Sequence, residues 1–299
     1  MKTDGMSDSE ENVEDRRGQR GGRFPVGGAG VKLGIPAIIV AILAVVFGGQ
    51  LTGGGGDGTG VSLPDIFNQL QPAPSATGGS GVPGAPDAQA EARTFTIKVF
   101  NDVQAFWTET FARSGSEYRE ATLVLFSGGT TSECGAASSA TGPFYCPADE
   151  KVYIDLEFFD ELAVRFDAPG DFAQAYVIAH EVGHHVQAVT GIEPDVRRQQ
   201  EKDPKSANDL SVRLELQADC FAGVWAFTVY GREFAESGDL EEAIGAASAV
   251  GDDRLQKQST GRVNPDTFTH GTSEQRTKWF RRGFDSGEPD RCDTFSGGL

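Results

Sequence analysis

The decisive stretch of the sequence is Val177-Ile178-Ala179-His180-Glu181-Val182-Gly183-His184-His185-Val186. Residues four apart lie on the same face of a helix, so His180 and His184 can direct two imidazoles at one metal ion. Glu181 follows the first histidine, where its carboxylate can accept a proton from an attacking water. The H-E-x-x-H spacing therefore predicts two zinc ligands, with Glu181 beside them as a general base.

The residues around this motif predict a helix from about Phe172 to Thr190. Asp171 is a suitable N-cap, and Gln174 three residues later completes a capping-box pattern. The chain has only 4 histidines, so the motif is unusual by chance. The alternative is a buried helix with hydrogen-bonded histidines. His185 points about 100° away from His184, and we expect it to be a structural or surface histidine, not a ligand.

A catalytic zinc ion usually has a third protein ligand. The candidate is Glu215, on an otherwise apolar face of a helix predicted from about Asp209 to Tyr230, because a buried carboxylate needs a partner. Asp219 lies one turn later on the same side. There it can accept the other N–H of a ligating histidine. The alternative is a pair of solvated acids on a helix surface.

The composition limits the partners and divides the chain. The 299 residues carry a net charge of −18, which argues against nucleic acid as the main partner. Residues 1–32 lack hydrophobic periodicity and predict a disordered tail. Residues 52–88 are rich in Gly and Pro and predict a linker. The folded domain is expected over residues 89–299.

Residues 33–51 form an uncharged apolar stretch. At 1.5 Å per residue a helix of this length reaches about 28 Å, close to the thickness of a bilayer core. We predict a transmembrane signal anchor in preference to a cleaved signal peptide or a buried core helix. Basic residues flank only its N-terminal side until Arg93. The positive-inside rule then predicts a cytoplasmic N-terminus and an extracytoplasmic catalytic domain in the cell membrane.

The folded domain is expected to be α+β, mostly helical with a small sheet. A polar connector is expected over Glu193 to Asn208. Alternating or apolar segments predict strands at Ala121 to Phe126 and Lys151 to Asp155. Helical spacing or capping patterns predict further helices. They cover a stretch ending at Gly115, the segment from Leu156 to Phe166, one helix starting at Asp239, and one after Thr272.

These motifs together resemble a known family. His180-Glu181-x-x-His184 followed by Glu215-x-x-x-Asp219 resembles the gluzincin metallopeptidases. More closely, the chain resembles the "putative neutral zinc metallopeptidase" family of bacteria over most of residues 95–295. The matching stretches include Leu125-Phe126-Ser127-Gly128, Gly142-Pro143-Phe144-Tyr145-Cys146-Pro147-Ala148-Asp149, Gly170-Asp171-Phe172-Ala173-Gln174 and Thr269-His270-Gly271-Thr272-Ser273. The resemblance implies a zincin-like fold and one zinc ion held by His180, His184 and Glu215.

Two further residues take their expected roles from the resemblance. The spacing between His270 and Arg276 is similar to an element that follows the third ligand in membrane-associated gluzincins. There the histidine helps to stabilise the oxyanion, a role suited to a donor near developing negative charge. For Arg276 we favour the role of holding Asp219 or another acid in place, over that of orienting the site directly. The alternative for His270 is a loop or capping histidine before the last helix.

The expected function is a membrane-anchored zinc endopeptidase that acts on a protein or peptide substrate. Strand Lys151 to Asp155 is expected to pair with an extended substrate. The alternative is a zinc-stabilised extracytoplasmic scaffold or adaptor protein without turnover. The presence of Glu181 speaks against it, because a structural zinc site needs no general base.

The 4 cysteines allow three pairings. Cys134 and Cys146 close a short loop, and an extracytoplasmic location favours oxidation. We expect Cys134 to pair with Cys146 and Cys220 with Cys292, and the family resemblance includes all these positions. A bond from Cys220 to Cys292 would tie the C-terminus to the helix that carries Glu215. The alternative is that Cys220 is a buried free thiol.

Overall fold

A computed structural model describes residues 1–18 and 87–299 of the chain. The strands are β1 (Val13–Asp15), β2 (Thr122–Phe126), β3 (Gly129–Ser132), β4 (Gly135–Ser138), β5 (Phe144–Cys146) and β6 (Lys151–Asp155). The helices are α1 (Ala90–Arg113), α2 (Glu157–Val164), α3 (Asp171–Val189), α4 (Ile192–Lys202), α5 (Ala207–Gly231), α6 (Asp239–Ala249), α7 (Asp252–Thr260) and α8 (Ser273–Ser286). The fold is α+β and mostly helical, as the sequence predicts.

The main sheet has four strands in the order β1-β2-β6-β5. The pairs β1–β2 and β2–β6 are parallel, and β5 runs antiparallel to β6. Strand β6, Lys151–Asp155, therefore has a neighbour on both sides and cannot accept a substrate strand. The expectation that it pairs with substrate is wrong. Among the strands that the structure describes, β1 and β5 form the two edges of the main sheet, and β5, with three residues, was too short to predict.

Helix α3 carries the H-E-x-x-H motif and agrees with the predicted helix to within one residue at each end. Its N-cap is Gly170, not Asp171. The capping box with Gln174 does not form, because Asp171 is already the first residue of the helix. The Phe172 amide donates to Glu242 Oε2 of helix α6 at 3.0 Å. Further along α3, a Cβ atom on Gly183 would lie only 3.1 Å from the Ala218 Cα. The glycine therefore lets α3 and α5 approach closely.

Helix α8 packs on the other side of α5 through a second close approach. A Cβ atom on Gly223 would lie 2.0 Å from the Phe280 carbonyl oxygen, and one on Gly283 would lie 1.9 Å from that of Cys220. Larger residues at either position would force the two helices apart. This contact fixes the distance between α8 and α5. It therefore also fixes where side chains of α8 can contact α5.

Both expected disulfides are confirmed. Cys134 pairs with Cys146, which ties the β3–β4 hairpin to the edge strand β5. Cys220 pairs with Cys292, which ties the C-terminal segment to α5. The cysteines are therefore all oxidised, and Cys220 is not a free thiol.

The N-terminal region differs from the predicted disordered tail. Residues 1–18 lie against the domain, with β1 as one edge of the main sheet. Met1 and Met6 are buried in the hydrophobic core. The segment was predicted to be disordered because it has few apolar residues. It is ordered through a short strand and through charged side chains that pair with the domain.

The predicted transmembrane stretch, residues 33–51, and most of the predicted linker, residues 52–88, lie outside the described residues. Within residues 1–18 and 87–299, no helix has the length and apolar character needed to cross a membrane. Two helices that the sequence did not predict are present. Helix α4 occupies much of the expected polar connector, and α7 precedes the His270 loop.

Candidate metal centre

The predicted ligands converge at the crossing of α3 and α5. The Nε2 atoms of His180 and His184 are 3.2 Å apart. Glu215 Oε2 lies 3.2 Å from the first of these nitrogens, and Glu215 Oε1 lies 3.6 Å from the second. A tetrahedral zinc ion with bonds of about 2.0–2.1 Å separates two nitrogen ligands by roughly 3.3 Å. The spacing of the three side chains therefore fits one zinc ion.

The hydrogen bonds of the two histidines explain why these atoms need a cation between them. His180 Nδ1 lies 2.9 Å from Asp219 Oδ1, and His184 Nδ1 lies 2.9 Å from Gln187 Oε1. Both partners are acceptors, so each neutral imidazole carries its proton on Nδ1 and a lone pair on Nε2. Two lone pairs and the Glu215 carboxylate therefore face one point. Such an arrangement is stable only around a positive charge.

The pKa shifts of His180 and Glu215 also indicate that a cation belongs between these side chains. Burial lowers the pKa of His180, but the negative charge of Asp219 and hydrogen bonds to Asp219 and Glu215 outweigh burial and raise it to about 9. Burial raises the pKa of Glu215, but His270 and His184 hold it well below its usual range. The site thus attracts a cation at His180 Nε2, which either a proton or a metal ion can provide.

Asp219 supports the site from behind and is fully buried. Besides the His180 N–H, it accepts hydrogen bonds from Arg276 Nε to Oδ2 and from Arg276 Nη2 to Oδ1, both at 2.8 Å. The Tyr176 hydroxyl donates to the same carboxylate. Burial raises the pKa of Asp219, but Arg276 and His180 lower it to about 2. The carboxylate is therefore charged and fixes both the tautomer and the orientation of His180.

Glu181 differs from its neighbours in having an unpaired atom. Its side chain is buried, and among residues 1–18 and 87–299 its Oε2 atom has no hydrogen-bond partner. Burial raises the pKa of this carboxyl group. Glu181 lines a cavity that also reaches His180, His184 and Glu215. A carboxyl group that lines a cavity together with the three candidate ligands is placed to exchange a proton with a molecule bound there.

His270 also lines this cavity, with Nε2 4.0 Å from Glu215 Oε1. Its loop is held by Asp252 at the first turn of α7. Asp252 Oδ2 accepts hydrogen bonds from the backbone amides of Thr269, His270 and Gly271 at 2.7, 2.7 and 3.1 Å. Asp252 Oδ1 is 3.5 Å from His270 Nδ1. The Asp252 carboxylate therefore positions the backbone of His270, and the ring Nδ1 also lies 2.9 Å from Thr269 Oγ1.

Two cavities meet at the candidate metal centre. One, of about 300 Å³, lies on the side of Glu181 and His270 and is lined by apolar side chains including Phe158, Phe166 and Leu255. The other, of about 170 Å³, lies between the β3–β4 hairpin, β5, α4 and α5. His184 and Glu215 line both cavities. A bound chain could therefore extend from the centre in two directions.

This arrangement agrees with the comparison to known families. The sequence profile described as "Putative neutral zinc metallopeptidase" matches residues 1–295. The chain belongs to this family. The match extends beyond the predicted resemblance over residues 95–295, because it includes the N-terminal region.

Two relatives of this zinc metallopeptidase family member illustrate the extent of the similarity. "Uncharacterized protein YpfJ" of Escherichia coli (strain K12) is 48% identical over 301 residues, which cover 99% of each chain. "Uncharacterized protein Rv2575" of Mycobacterium tuberculosis (strain H37Rv) is 42% identical over 221 residues, 70% of this chain and 73% of its own length. No solved structure matches the chain.

His185 is not among the residues that converge at the candidate metal centre. It is fully buried and turned away from the metal centre. Its Nε2–H donates to the Arg119 carbonyl at 2.6 Å, and its Nδ1 accepts from the Tyr145 hydroxyl at 3.0 Å. Burial lowers the pKa of His185. Its place is structural, joining α3 to the edge strand β5.

Sequence reasoning missed three residues that support the metal centre, namely Tyr176, Gln187 and Asp252. The first two had a detectable signal, since Tyr176 lies four residues before His180 and Gln187 three after His184. Helical neighbours at these spacings can contact a ligand directly or through a shared partner. Asp252 is 18 residues from His270, and only the tertiary fold brings its carboxylate to that loop.

Proposed function

We propose that the protein is a zinc-dependent peptidase that hydrolyses internal peptide bonds of protein or peptide substrates. The observation that carries the proposal is the unpaired, buried Oε2 of Glu181 next to the converging atoms of His180, His184 and Glu215. A site built only to stabilise the fold would not leave a buried acidic oxygen without a hydrogen-bond partner.

His180, His184 and Glu215 would hold the zinc ion. When bound, zinc supplies Lewis-acid polarisation of the scissile carbonyl and makes water more acidic. Glu181 accepts a proton from the attacking water and transfers it to the leaving amine. The raised pKa of its buried carboxyl group favours retention of that proton between the two steps. Asp219 keeps the His180 lone pair directed at the ligand position.

His270 is proposed to donate a hydrogen bond to the oxyanion of the tetrahedral intermediate. His270 lines the cavity with its Nε2 4.0 Å from Glu215 Oε1, and Asp252 holds its loop through three backbone amides. A donor fixed before the reaction stabilises the developing charge without reorganisation. Arg276 is bound to Asp219 by two hydrogen bonds and is proposed to act only through it.

The substrate is proposed to pair with the open edge of β5 and to extend into the two cavities. Strand β5 lines the 170 Å³ cavity through Phe144 and Tyr145. Edge strands offer unpaired backbone groups to an extended peptide. Cavities on both sides of the metal ligands suit a peptide that continues past the cleaved bond, which supports endopeptidase activity.

The experiment that tests the function measures bound metal and cleavage of an unfolded protein by the full-length chain. We expect zinc in the purified protein, cleavage that stops on chelation and returns with zinc, and loss of cleavage in Glu181→Gln with zinc retained. Glu161→Gln is the control, because Glu161 lines the same cavity but does not contact the metal ligands. Zinc binding without cleavage by either variant would favour the scaffold and overturn the proposal. Equal cleavage by wild type and Glu181→Gln would overturn it too, because the cleavage would not depend on Glu181.

We also propose that the catalytic domain acts outside the cytoplasm. The two disulfides support this location, because structural disulfides persist in oxidising compartments. Membrane anchoring through residues 33–51 stays a prediction, as does the cytoplasmic position of the N-terminus that flanking charges suggest. Trapping cellular thiols with an alkylating reagent before lysis tests the location. Reduced, alkylated cysteines in the mature protein would place the domain in a reducing compartment.

A further inference from the structure

The N-terminal segment, residues 1–18, is joined to the domain by regular strand pairing. In the parallel pair β1–β2, Val13 lies opposite Leu123 and Asp15 opposite Leu125. The Leu123 amide donates to the Asn12 carbonyl at 2.9 Å, and the Arg16 amide donates to the Leu125 carbonyl at 2.7 Å. The segment therefore covers an edge of β2 that would otherwise expose unpaired backbone groups.

Side chains along the N-terminal segment match the charge of the surface beneath them. Arg93 of α1 pairs with Glu10 and Asp15, each at 2.8 Å. Lys151 of β6 pairs with Glu14. The Asn101 side-chain amide donates to the carbonyls of Ser7 and Ser9 at 3.0 and 2.9 Å. Cations and donors of the domain thus recognise an acidic segment at several separate points.

Apolar burial accompanies these polar contacts. The Met1 and Met6 side chains are 7% and 8% exposed and belong to the same core as helices α1, α3 and α5. The Lys2 amide donates to the Phe234 carbonyl at 2.7 Å, beyond the end of α5. The N-terminal segment therefore spans the domain from the sheet edge to the helical layer, and its removal would expose part of the core.

The described residues on either side of the 19–86 connection meet at one place. Arg17 Nη2 lies 2.8 Å from Asp87 Oδ2, and Arg17 Nη1 donates to Gln89 Oε1 at 3.3 Å. The chain thus leaves the domain and returns to it at a single position. The apolar stretch 33–51 lies within this connection.

We infer that the N-terminal segment is a built-in strand of the catalytic domain and lies on the same side of the membrane as residues 87–299. Strand pairing, ion pairs and core burial require both partners in one aqueous compartment. A single crossing by residues 33–51 would separate them, so docking of the segment and one crossing exclude each other.

Two observations favour docking over the orientation that flanking charges predict. Arg16 and Arg17 count toward a cytoplasmic N-terminus, yet Arg16 donates to the Thr131 carbonyl at 3.1 Å and Arg17 pairs with Asp87. These arginines are therefore bound to the domain. In addition, the family profile and the YpfJ relative both extend over the N-terminal region, so the segment is part of the family's shared sequence.

The first test compares the accessibility of two engineered cysteines in the full-length protein in intact cells. Asp8→Cys lies in the segment and Ser116→Cys in the domain, and both positions are exposed. The native cysteines are all in disulfides and do not react with maleimides. We expect a membrane-impermeant maleimide to label the two positions to the same extent as each other in intact cells. After cell lysis, the two positions should again be labelled equally. Labelling of one position before lysis and of the other only afterwards would overturn the inference.

The second test detects docking itself. Asn12 Nδ2 donates to Glu120 Oε2 at 2.6 Å, so Asn12→Cys with Glu120→Cys places two thiols within reach of a short bismaleimide. We expect a link between the two peptides within one chain, identified by mass spectrometry after treatment of whole cells. Asn12→Cys with Arg281→Cys is the control pair, since Arg281 does not contact the segment in the described structure. Links only between chains, or none despite labelling of both single variants, would overturn docking within the chain. Neither test depends on peptidase activity.

Discussion

The carboxylates of Asp219 and Asp102 have the same kinds of hydrogen-bond partners in two different parts of the protein. Each is buried, and each accepts two hydrogen bonds from one arginine, Arg276 for Asp219 and Arg232 for Asp102. Each also accepts a hydrogen bond at 2.9 Å from an aromatic ring N–H, supplied by His180 and Trp225 respectively.

The difference between the two regions lies in the ring. An indole has one nitrogen, and in Trp225 that nitrogen donates to Asp102, so the ring has no second nitrogen for another partner. An imidazole has a second nitrogen, and the Asp219 bond leaves that nitrogen with a lone pair directed at His184 and Glu215. A buried aspartate–arginine pair is therefore structural by default. It supports a metal centre only where the third donor can also be a ligand.

The largest expected effect comes from removing the ligand that faces the second nitrogen of His180. Glu215→Ala takes away the carboxylate that balances a cation between the histidines, so we expect zinc affinity to fall by more than about 100-fold and cleavage to disappear. Metal titration by competition with a chromogenic chelator measures this. The control is Glu193→Ala, because Glu193 lines the same small cavity outside the ligand group. Equal zinc affinities in the two variants would refute Glu215 as a ligand.

His270 has no counterpart near Asp102, so a change at His270 tests a feature that only the candidate metal centre has. His270→Ala removes the proposed oxyanion donor but no metal ligand, so kcat should fall by about 10²–10³-fold with zinc content unchanged. Steady-state kinetics with a peptide substrate, together with metal analysis, provide the measurement. A rise in KM alone would assign His270 to substrate binding instead. Loss of zinc would show that it supports the ligands.

The matched pair of aspartates can be compared directly. Asp219→Asn weakens the acceptor that fixes the tautomer of His180, and we expect zinc affinity to fall by about 10–100-fold. Asp102→Asn disturbs an equivalent arginine pair away from the site, so it should lower stability without changing zinc affinity. Chemical denaturation and metal titration on both variants separate the two effects. A similar loss of zinc affinity in both would show that the metal centre responds only to general destabilisation.

The sequence could predict which side chains converge because helical periodicity brings His180 and His184 to one face of a helix, and Glu215 and Asp219 to one face of another. It also predicted α3, α5 and the capping box of α8, in which Thr272 and Gln275 exchange both hydrogen bonds. These features are local, so residue type and spacing determine them. The disulfide pairing was expected from the short loop of one pair and the family resemblance.

The features that sequence reasoning missed depend on distant parts of the chain. Strand β5 has three residues and is stabilised by pairing with β6, so its own sequence carries little signal. The N-terminal strand β1 is polar and exists through contact with β2 and α1. Glu242 caps α3 in place of the predicted box, because α6 brings its carboxylate to the Phe172 amide. In each case tertiary contact outweighs local preference.

The smallest expected effect tests how much of the support for His180 depends on Tyr176. Its hydroxyl donates to Asp219 and accepts from Arg276 Nη2 at 3.1 Å. In Tyr176→Phe, Asp219 keeps the His180 donor and both arginine bonds, so zinc affinity should fall by less than about tenfold. Stability should fall by about 1–3 kcal/mol, because the Arg276 donor loses a buried partner. Tyr118→Phe is the control, since the Tyr118 hydroxyl donates to Gln104 Oε1 at 2.6 Å in the core. Both variants should lose stability in denaturation, but only Tyr176→Phe should change the zinc titration. An unchanged titration would mean that Arg276 and Asp219 suffice to orient His180, whereas a loss as large as that of Asp219→Asn would make the hydroxyl an equal part of the support.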